Sequence, residues 1–148
     1  MSPLPPPGWE ERAARAVDRG RRFDRWIPGI LLDSPLSRLG YLAGTAFGFV
    51  WGSLWSTGRV ERRAGLWVFR GMPGATFGRG GVCVGGCFLT GDGEIDDRLL
   101  AHEATHQVQW RRYGMLMPLL YLLAGRNPLT NRFEIEAGLA DGRYIPRS

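Results

Sequence analysis

The pattern of apolar and polar positions divides the chain into segments of different character. Residues 1–8 are rich in proline and contain no apolar run, so we expect a flexible tail and not a secretory signal. From Trp9 to Trp26, arginines recur at helical spacing while apolar residues occupy another face. This pattern predicts an amphipathic helix, interrupted by Gly20, that suits either the surface of a core or a membrane interface.

An uncharged stretch of 17 residues follows, from Leu39 to Trp55. A glycine occupies every fourth position within it: Gly40, Gly44, Gly48 and Gly52. On a helix they form one smooth ridge, the pattern by which membrane helices approach closely. In a soluble helix they would cost roughly 3–4 kcal/mol relative to alanine, unless close packing offsets this. The pattern favours a membrane-inserted helix or hairpin slightly over a buried helix, although about 20 residues are typical of a span. If the stretch spans, the arginines after it place the following chain in the cytoplasm.

Glycines and strand-forming residues replace this pattern between Gly65 and Thr90. Leu66–Arg70 predicts one strand, Gly71–Gly74 a turn and Val82–Thr90 a second strand. The two strands predict a short antiparallel sheet, whose open edge could pair with an extended substrate peptide. A hairpin that only closes over the core is an equally good interpretation.

Three helices are predicted in the last third of the chain. Asp96 or Asp97 is a suitable N-cap for a helix from about Arg98 to Tyr113. Met115–Ala124 is apolar and predicts a second helix, and the third covers roughly Asn131–Asp141.

Composition narrows the classes of function. A chain of 148 residues is expected to form one domain. Its net charge of +5 would suggest nucleic acid, but all 19 basic residues are arginine and no nucleic-acid-binding motif accompanies them, so no such partner is expected. The charge fits an anionic membrane surface, and we expect the cytoplasm or the cytoplasmic face of a membrane. Cys83 and Cys87 fall short of the four ligands of a structural metal site and are interpreted as small buried residues.

The candidate chemistry lies in the helix from about Arg98 to Tyr113, which contains the pattern H-E-x-x-H. His102 and His106 are the only histidines, and four residues of helix place them on one face, where both imidazoles can reach one ion. Glu103 follows one step round the helix, where it can contact a metal-bound water. Two nitrogen ligands, an open position for water and a carboxylate base are typical of a zinc hydrolase.

A catalytic zinc needs a third protein ligand, and no histidine remains to supply it. The third predicted helix offers three carboxylates: Glu134, Glu136 and Asp141. Glu134 and Asp141 are seven residues apart and share a face of the predicted helix. One of them could therefore bind the ion while the other orients the ligands. Glu134 is the preferred ligand, with Glu136 and Asp141 as alternatives or supporting groups. Glu134 could instead complete a capping box with Asn131.

The motif H-E-A-T-H at 102–106, followed across a loop by N-x-x-E-x-E-A at 131–137, resembles the small gluzincin-type metallopeptidase-like proteins, the minigluzincins. The resemblance covers the chain from Leu66 or Asp97 to Tyr144. It implies that His102, His106 and Glu134 bind one zinc ion and that Glu103 is the general base.

The expected fold is therefore α+β, with a small zincin-like domain over residues 65–148. In it a short antiparallel sheet packs on the H-E-x-x-H helix and on a downstream helix that carries the ligand glutamate. Residues 9–64 form an N-terminal helical segment that is a candidate for membrane association, and residues 1–8 are the tail.

Three functions are compatible with these features. The first is a zinc metallopeptidase that cleaves a peptide or protein substrate, in which the oxyanion is held by zinc and by Tyr113, Tyr121, Tyr144 or an arginine. The second is a zinc-binding or assembly module without turnover. The third is a membrane-associated structural protein in which the motif is accidental. The intact Glu103 favours the first, because a module that only binds zinc does not need a base.

Overall fold

The computed structural model describes residues 2–78 and 80–148, and within them the chain has an α+β fold. The helices are α1 (Trp9–Asp24), α2 (Pro35–Trp55), α3 (Asp97–Tyr113), α4 (Leu116–Ala124) and α5 (Arg132–Ala137). The strands are β1 (Glu61–Arg63), β2 (Leu66–Phe69), β3 (Gly81–Val84) and β4 (Cys87–Thr90). The order along the chain is two helices, then all the strands, then three helices.

The strands form one mixed sheet in the order β1-β2-β4-β3. β1 pairs with β2 and β3 with β4 in antiparallel fashion, but β2 and β4 are parallel, so the expected antiparallel sheet is wrong at this central pairing. The segment 82–90 is also two strands and not one. The chain reverses at Gly85, which has φ of 59° and packs so closely on α2 that a Cβ would lie 2.4 Å from the Thr45 nitrogen.

The sheet is buried on both faces. Leu66, Val68 and Phe88 pack with Leu100 of α3 on one side. On the other side Phe69, Cys87 and Leu89 belong to a cluster against which Trp51 of α2 packs. This arrangement explains why β2 and β4 are continuous apolar runs and do not alternate with polar residues. Both cysteines are free and buried.

The glycine ridge of α2 packs against the protein's own elements. A Cβ at Gly40 would lie 2.6 Å from the backbone nitrogen of Met115, and one at Gly44 would lie 2.7 Å from the Trp110 ring of α3. The ridge residues are buried while the opposite face of α2 is exposed. Close packing inside the fold therefore offsets the helix-propensity cost of these glycines. None of the helices in the described residues has the length and apolarity needed to cross a membrane.

α2 begins four residues earlier than the apolar pattern predicts. Ser34 and Ser37 cap its first turn reciprocally: the Ser34 side chain accepts from the Ser37 N–H and the Ser37 side chain from the Ser34 N–H. Pro35 occupies the first helical turn, where its missing N–H costs nothing.

The predicted bounds of α3 are confirmed to within one residue. The Asp96 side chain accepts a hydrogen bond of 2.8 Å from the Leu99 N–H, which caps the N-terminus. The helix ends at Gly114, whose φ is 57°. α4 follows at once, so the two helices are joined by a turn of two residues.

α5 is much shorter than the predicted helix at 131–141. It ends at Ala137 because Gly138 has φ of 100° and turns the chain out of the helix. Asp141 therefore does not share a helix face with Glu134. The Asn131 side chain caps the start, where it accepts from the Phe133 N–H at 3.0 Å.

α1 is attached to α5 by a buried ion pair. Asp24 accepts a hydrogen bond of 2.8 Å from Arg132 and another of 2.6 Å from the Tyr113 hydroxyl. Gly20 does not interrupt α1, contrary to expectation. It lies against the Arg132 side chain, to which a Cβ would come as close as 2.0 Å.

Candidate metal centre

α3 presents the two histidines of H-E-x-x-H on one buried face. Their Nε2 atoms are 3.1 Å apart, and the side chains are almost inaccessible to solvent. Helical spacing alone produces this convergence, because residues four apart lie one turn above each other.

α5 brings a carboxylate to the same point. The Glu134 Oε2 atom lies 3.1 Å from the His102 Nε2 and 3.4 Å from the His106 Nε2. The carboxylate does not serve as a helix cap, because the Asn131 N–H donates to the Asn127 carbonyl instead. The other oxygen, Oε1, accepts a hydrogen bond from the Tyr121 hydroxyl.

The Nδ1 atoms of both imidazole rings, which point away from the centre, face hydrogen-bond acceptors. The His102 Nδ1 lies 2.9 Å from the Gly138 carbonyl, which can only accept, so this nitrogen carries a proton. The His106 Nδ1 lies 2.8 Å from the Gln109 Oε1, and the same amide donates from Nε2 to the Phe133 carbonyl at 3.1 Å. That donation fixes the amide orientation. In the neutral histidines both Nε2 lone pairs therefore point at the centre.

When both histidines are neutral and Glu134 is ionised, three lone pairs therefore meet at one point, and none of the three groups has a proton there to donate. Zinc bonds of about 2.0–2.1 Å at tetrahedral angles place ligand atoms about 3.4 Å apart, close to the 3.1–3.4 Å separations here. His102, His106 and Glu134 are also the group of metal-ligating side chains that the described residues bring together. The arrangement could hold a divalent cation.

The charges around this centre favour a cation as well. Burial raises the pKa of Glu134, but hydrogen bonds from the two histidines and Tyr121 outweigh burial and hold its pKa well below the usual range. Burial lowers the pKa of His106, and the hydrogen bond and charge of Glu134, helped by Glu103, reverse this and leave the pKa raised. A buried carboxylate that stays ionised here needs a positive partner, either a proton on an imidazole or a metal ion.

Glu103 lines the same cavity as His106 and Glu134. Its Oε2 atom is buried and has no hydrogen-bond partner in the described part of the chain, a costly arrangement. Burial raises the pKa of Glu103, the two histidines lower it, and Glu134 raises it further, so the net pKa is above the usual value. A water between this oxygen and an ion bound at Glu134 would supply the missing partner.

A cavity of about 690 Å³ opens over the centre. Glu103, His106 and Glu134 form its polar end. The remaining walls are largely apolar and come from α2, β3, α4 and the chain near Tyr144. The site is therefore accessible to a ligand much larger than water.

Three of the other residues singled out from the sequence lie away from the centre. Glu136 is exposed on the outer side of α5, and Asp141 forms an ion pair of 2.6 Å with Arg98. Tyr113 donates to Asp24 outside the cavity. Tyr144 lines the cavity, with its ring centroid 6.0 Å from that of His102.

Two residues of the centre were missed from the sequence. Gln109 orients His106 and joins α3 to α5, and its position on the same helical stripe as both histidines was the available signal. Gly142 lies so close to the His102 ring that a Cβ would be 2.5 Å from its Cε1, and no local pattern indicates this approach.

Comparisons with family models, with curated proteins and with solved structures gave no match to the chain. The functional argument therefore depends on the geometry of the centre.

Proposed function

We propose that this protein is a zinc-dependent metallopeptidase of the small gluzincin type. One observation carries the proposal: the unpartnered, buried Glu103 Oε2 lies next to a triangle of two imidazole nitrogens and one carboxylate oxygen, at the end of an open cavity. Three protein ligands, a neighbouring carboxylate and room for substrate are what a catalytic zinc site requires and a closed structural site lacks.

Each residue then has a defined role. His102, His106 and Glu134 would hold the ion, which would supply Lewis-acid chemistry to the scissile carbonyl and to water. Glu103 takes a proton from the attacking water as the water oxygen bonds to the carbonyl carbon. It then delivers that proton to the amine nitrogen as the C–N bond breaks.

Tyr144 is the candidate for holding the oxyanion. Tyr144 lines the cavity next to His102 and lies on the short C-terminal segment after α5.

The cavity supports an extended substrate with an apolar side chain near the scissile bond. β3 is an edge strand of the sheet, and its residues from Gly81 to Val84 line the cavity. A peptide could add to this edge by backbone hydrogen bonds while the apolar walls receive one of its side chains. Peptides with large apolar residues are the substrates of choice for a first assay.

The test compares four variants of the full-length protein for zinc content and for cleavage of a mixed peptide library. We expect one zinc per chain in the wild type. Glu103→Gln should keep the metal and lose at least 100-fold in cleavage rate, because only the base is removed. Glu134→Gln and His106→Ala should lose the metal. Glu136→Gln is the matched control on the same helix and should change neither.

Two outcomes would contradict the proposal. Equal cleavage by the wild type and Glu103→Gln would exclude this centre as the source of activity. Zinc bound by the wild type with no cleavage of any peptide would instead favour a metal-binding module.

A further inference from the structure

Two apolar helix faces border the mouth of the cavity. On the outward side of α2, and in and just before α4, nine large apolar side chains are more than half exposed: Leu39, Leu42, Phe47, Val50, Leu54, Met115, Leu119, Leu122 and Leu123. Phe47, Met115 and Leu122 also line the cavity. The two faces and the cavity mouth therefore form one continuous apolar surface.

This surface collects nine exposed large apolar side chains on and beside two helices. Single exposed apolar residues are normal on proteins, but a contiguous patch from two helices marks a surface that something covers. On α2 the exposed side chains recur over the whole length of the helix, from Leu39 to Leu54.

The helices that carry the exposed apolar side chains have charge of one sign. Residues 35–55 and 114–131 contain two arginines and no aspartate or glutamate, and the two carboxylates that line the cavity, Glu103 and Glu134, are buried. Arg126 lines the cavity and Arg38 lies near the start of α2. Neither forms an ion pair with a side chain in the described parts of the chain.

This charge distribution distinguishes between the occupants. In a symmetric dimer the same patch meets itself, so arginines would face arginines with no acidic partner. An anionic bilayer offers an apolar interior for the leucines and negative headgroups for the arginines. Trp55, at the C-terminal end of α2 and partly exposed, is of the type enriched at the membrane–water interface.

We propose that the exposed faces of α2 and α4 dock on the surface of an anionic lipid bilayer, with the cavity mouth towards the lipid. The docking goes beyond the proposed hydrolysis, since it needs neither a metal nor turnover. It would present the centre to peptide segments that lie at or emerge from the membrane surface.

The test is flotation of the full-length protein with vesicles of phosphatidylcholine alone and of phosphatidylcholine with 30 per cent phosphatidylglycerol, about the anionic content that attracts basic surfaces. We expect binding to the anionic vesicles and at least fivefold weaker binding to the neutral ones. The double substitution Leu39→Glu/Leu119→Glu should lower vesicle binding about 100-fold, roughly tenfold for each leucine withdrawn from the bilayer.

Val108→Glu is the matched control, because Val108 is a similarly exposed apolar residue that lies on α3 and belongs to neither face. It should change binding by less than twofold. A metal-free His106→Ala variant should bind vesicles like the wild type, which separates this inference from the proposed function. Circular dichroism and a thermal melt check that the double variant is folded.

Three results would overturn the docking. Wild type that binds neither vesicle would do so, as would equal losses in the double variant and in Val108→Glu. Light scattering that shows a dimer converted to a monomer by Leu39→Glu/Leu119→Glu, without vesicle binding, would assign the surface to a second copy of the chain.

Discussion

Replacing Gly40 by alanine tests whether the glycine ridge exists for packing. By helix propensity alone the change should stabilise the protein by about 1 kcal/mol, because alanine is the better helix former. The structure predicts the opposite. The new Cβ would lie 2.6 Å from the Met115 nitrogen and 3.0 Å from the Gly114 Cα, both backbone atoms in the turn between α3 and α4.

The size of the effect follows from that overlap. Ordinary contact begins near 3.4 Å, so α2 and the turn must separate by about 0.8 Å. Overpacking of this kind costs about 1–3 kcal/mol, and the upper part of that range, about 2–3 kcal/mol, applies here because backbone cannot rotate away as a side chain can. After the propensity gain is subtracted, we expect a net loss of about 1–2 kcal/mol. For a chain of this size that lowers the melting temperature by about 2–8 °C.

The measurement is thermal and urea unfolding followed by circular dichroism. Ala46→Gly, on the exposed side of the same helix, is the matched control and should cost about 1 kcal/mol through propensity alone. The reasoning fails if Gly40→Ala raises the melting temperature by as much as Ala46→Gly lowers it. In that case the ridge would not be under packing constraint.

Three further predictions concern the centre, its support and the thiols. Tyr121→Phe should weaken zinc binding about 10–100-fold in a chelator competition, because Glu134 loses the donor that orients it; unchanged affinity would exclude that role. Asp24→Ala should cost about 3–5 kcal/mol in urea unfolding, since it leaves the buried Arg132 guanidinium without its carboxylate. Asp18 belongs to an exposed ion pair with Arg22, so Asp18→Ala should cost under about 0.5 kcal/mol, and equal losses in the two variants would contradict the burial argument. Burial raises the pKa of Cys87 to about 11, slightly opposed by Arg62, so iodoacetamide at pH 8 should label the native thiol far more slowly than the urea-unfolded one; similar rates would refute this.

Local sequence patterns predicted the helices best where the capping residues agreed with the apolar period. α3 is the clearest case, since Asp96 and Gly114 mark its ends and the spacing of the histidines alone places both rings on one face. The prediction for α5 extends to Asp141, beyond the last residue of the helix, Ala137. The glycine at 138 ends the helix first.

Features that depend on distant partners could not be predicted in this way. The parallel pairing of β2 with β4 depends on how the intervening strand folds back, which no local period specifies. The glycine ridge has the same spacing whether its partner is another membrane helix or α3 of the same chain. The link from Asp24 to Arg132 joins two charged residues that each resemble ordinary surface positions.

α5 also bears on the order in which the molecule can become functional. A helix of six residues is not stable by itself and holds its shape only while its neighbours hold it. One of those neighbours is α1, whose Asp24 is 108 residues away from Arg132 along the chain. Long-range contacts of this kind form late in folding, because the loop they close must first be brought together. We therefore expect the carboxylate of Glu134 to reach the histidines only after α1 and α5 have docked on each other.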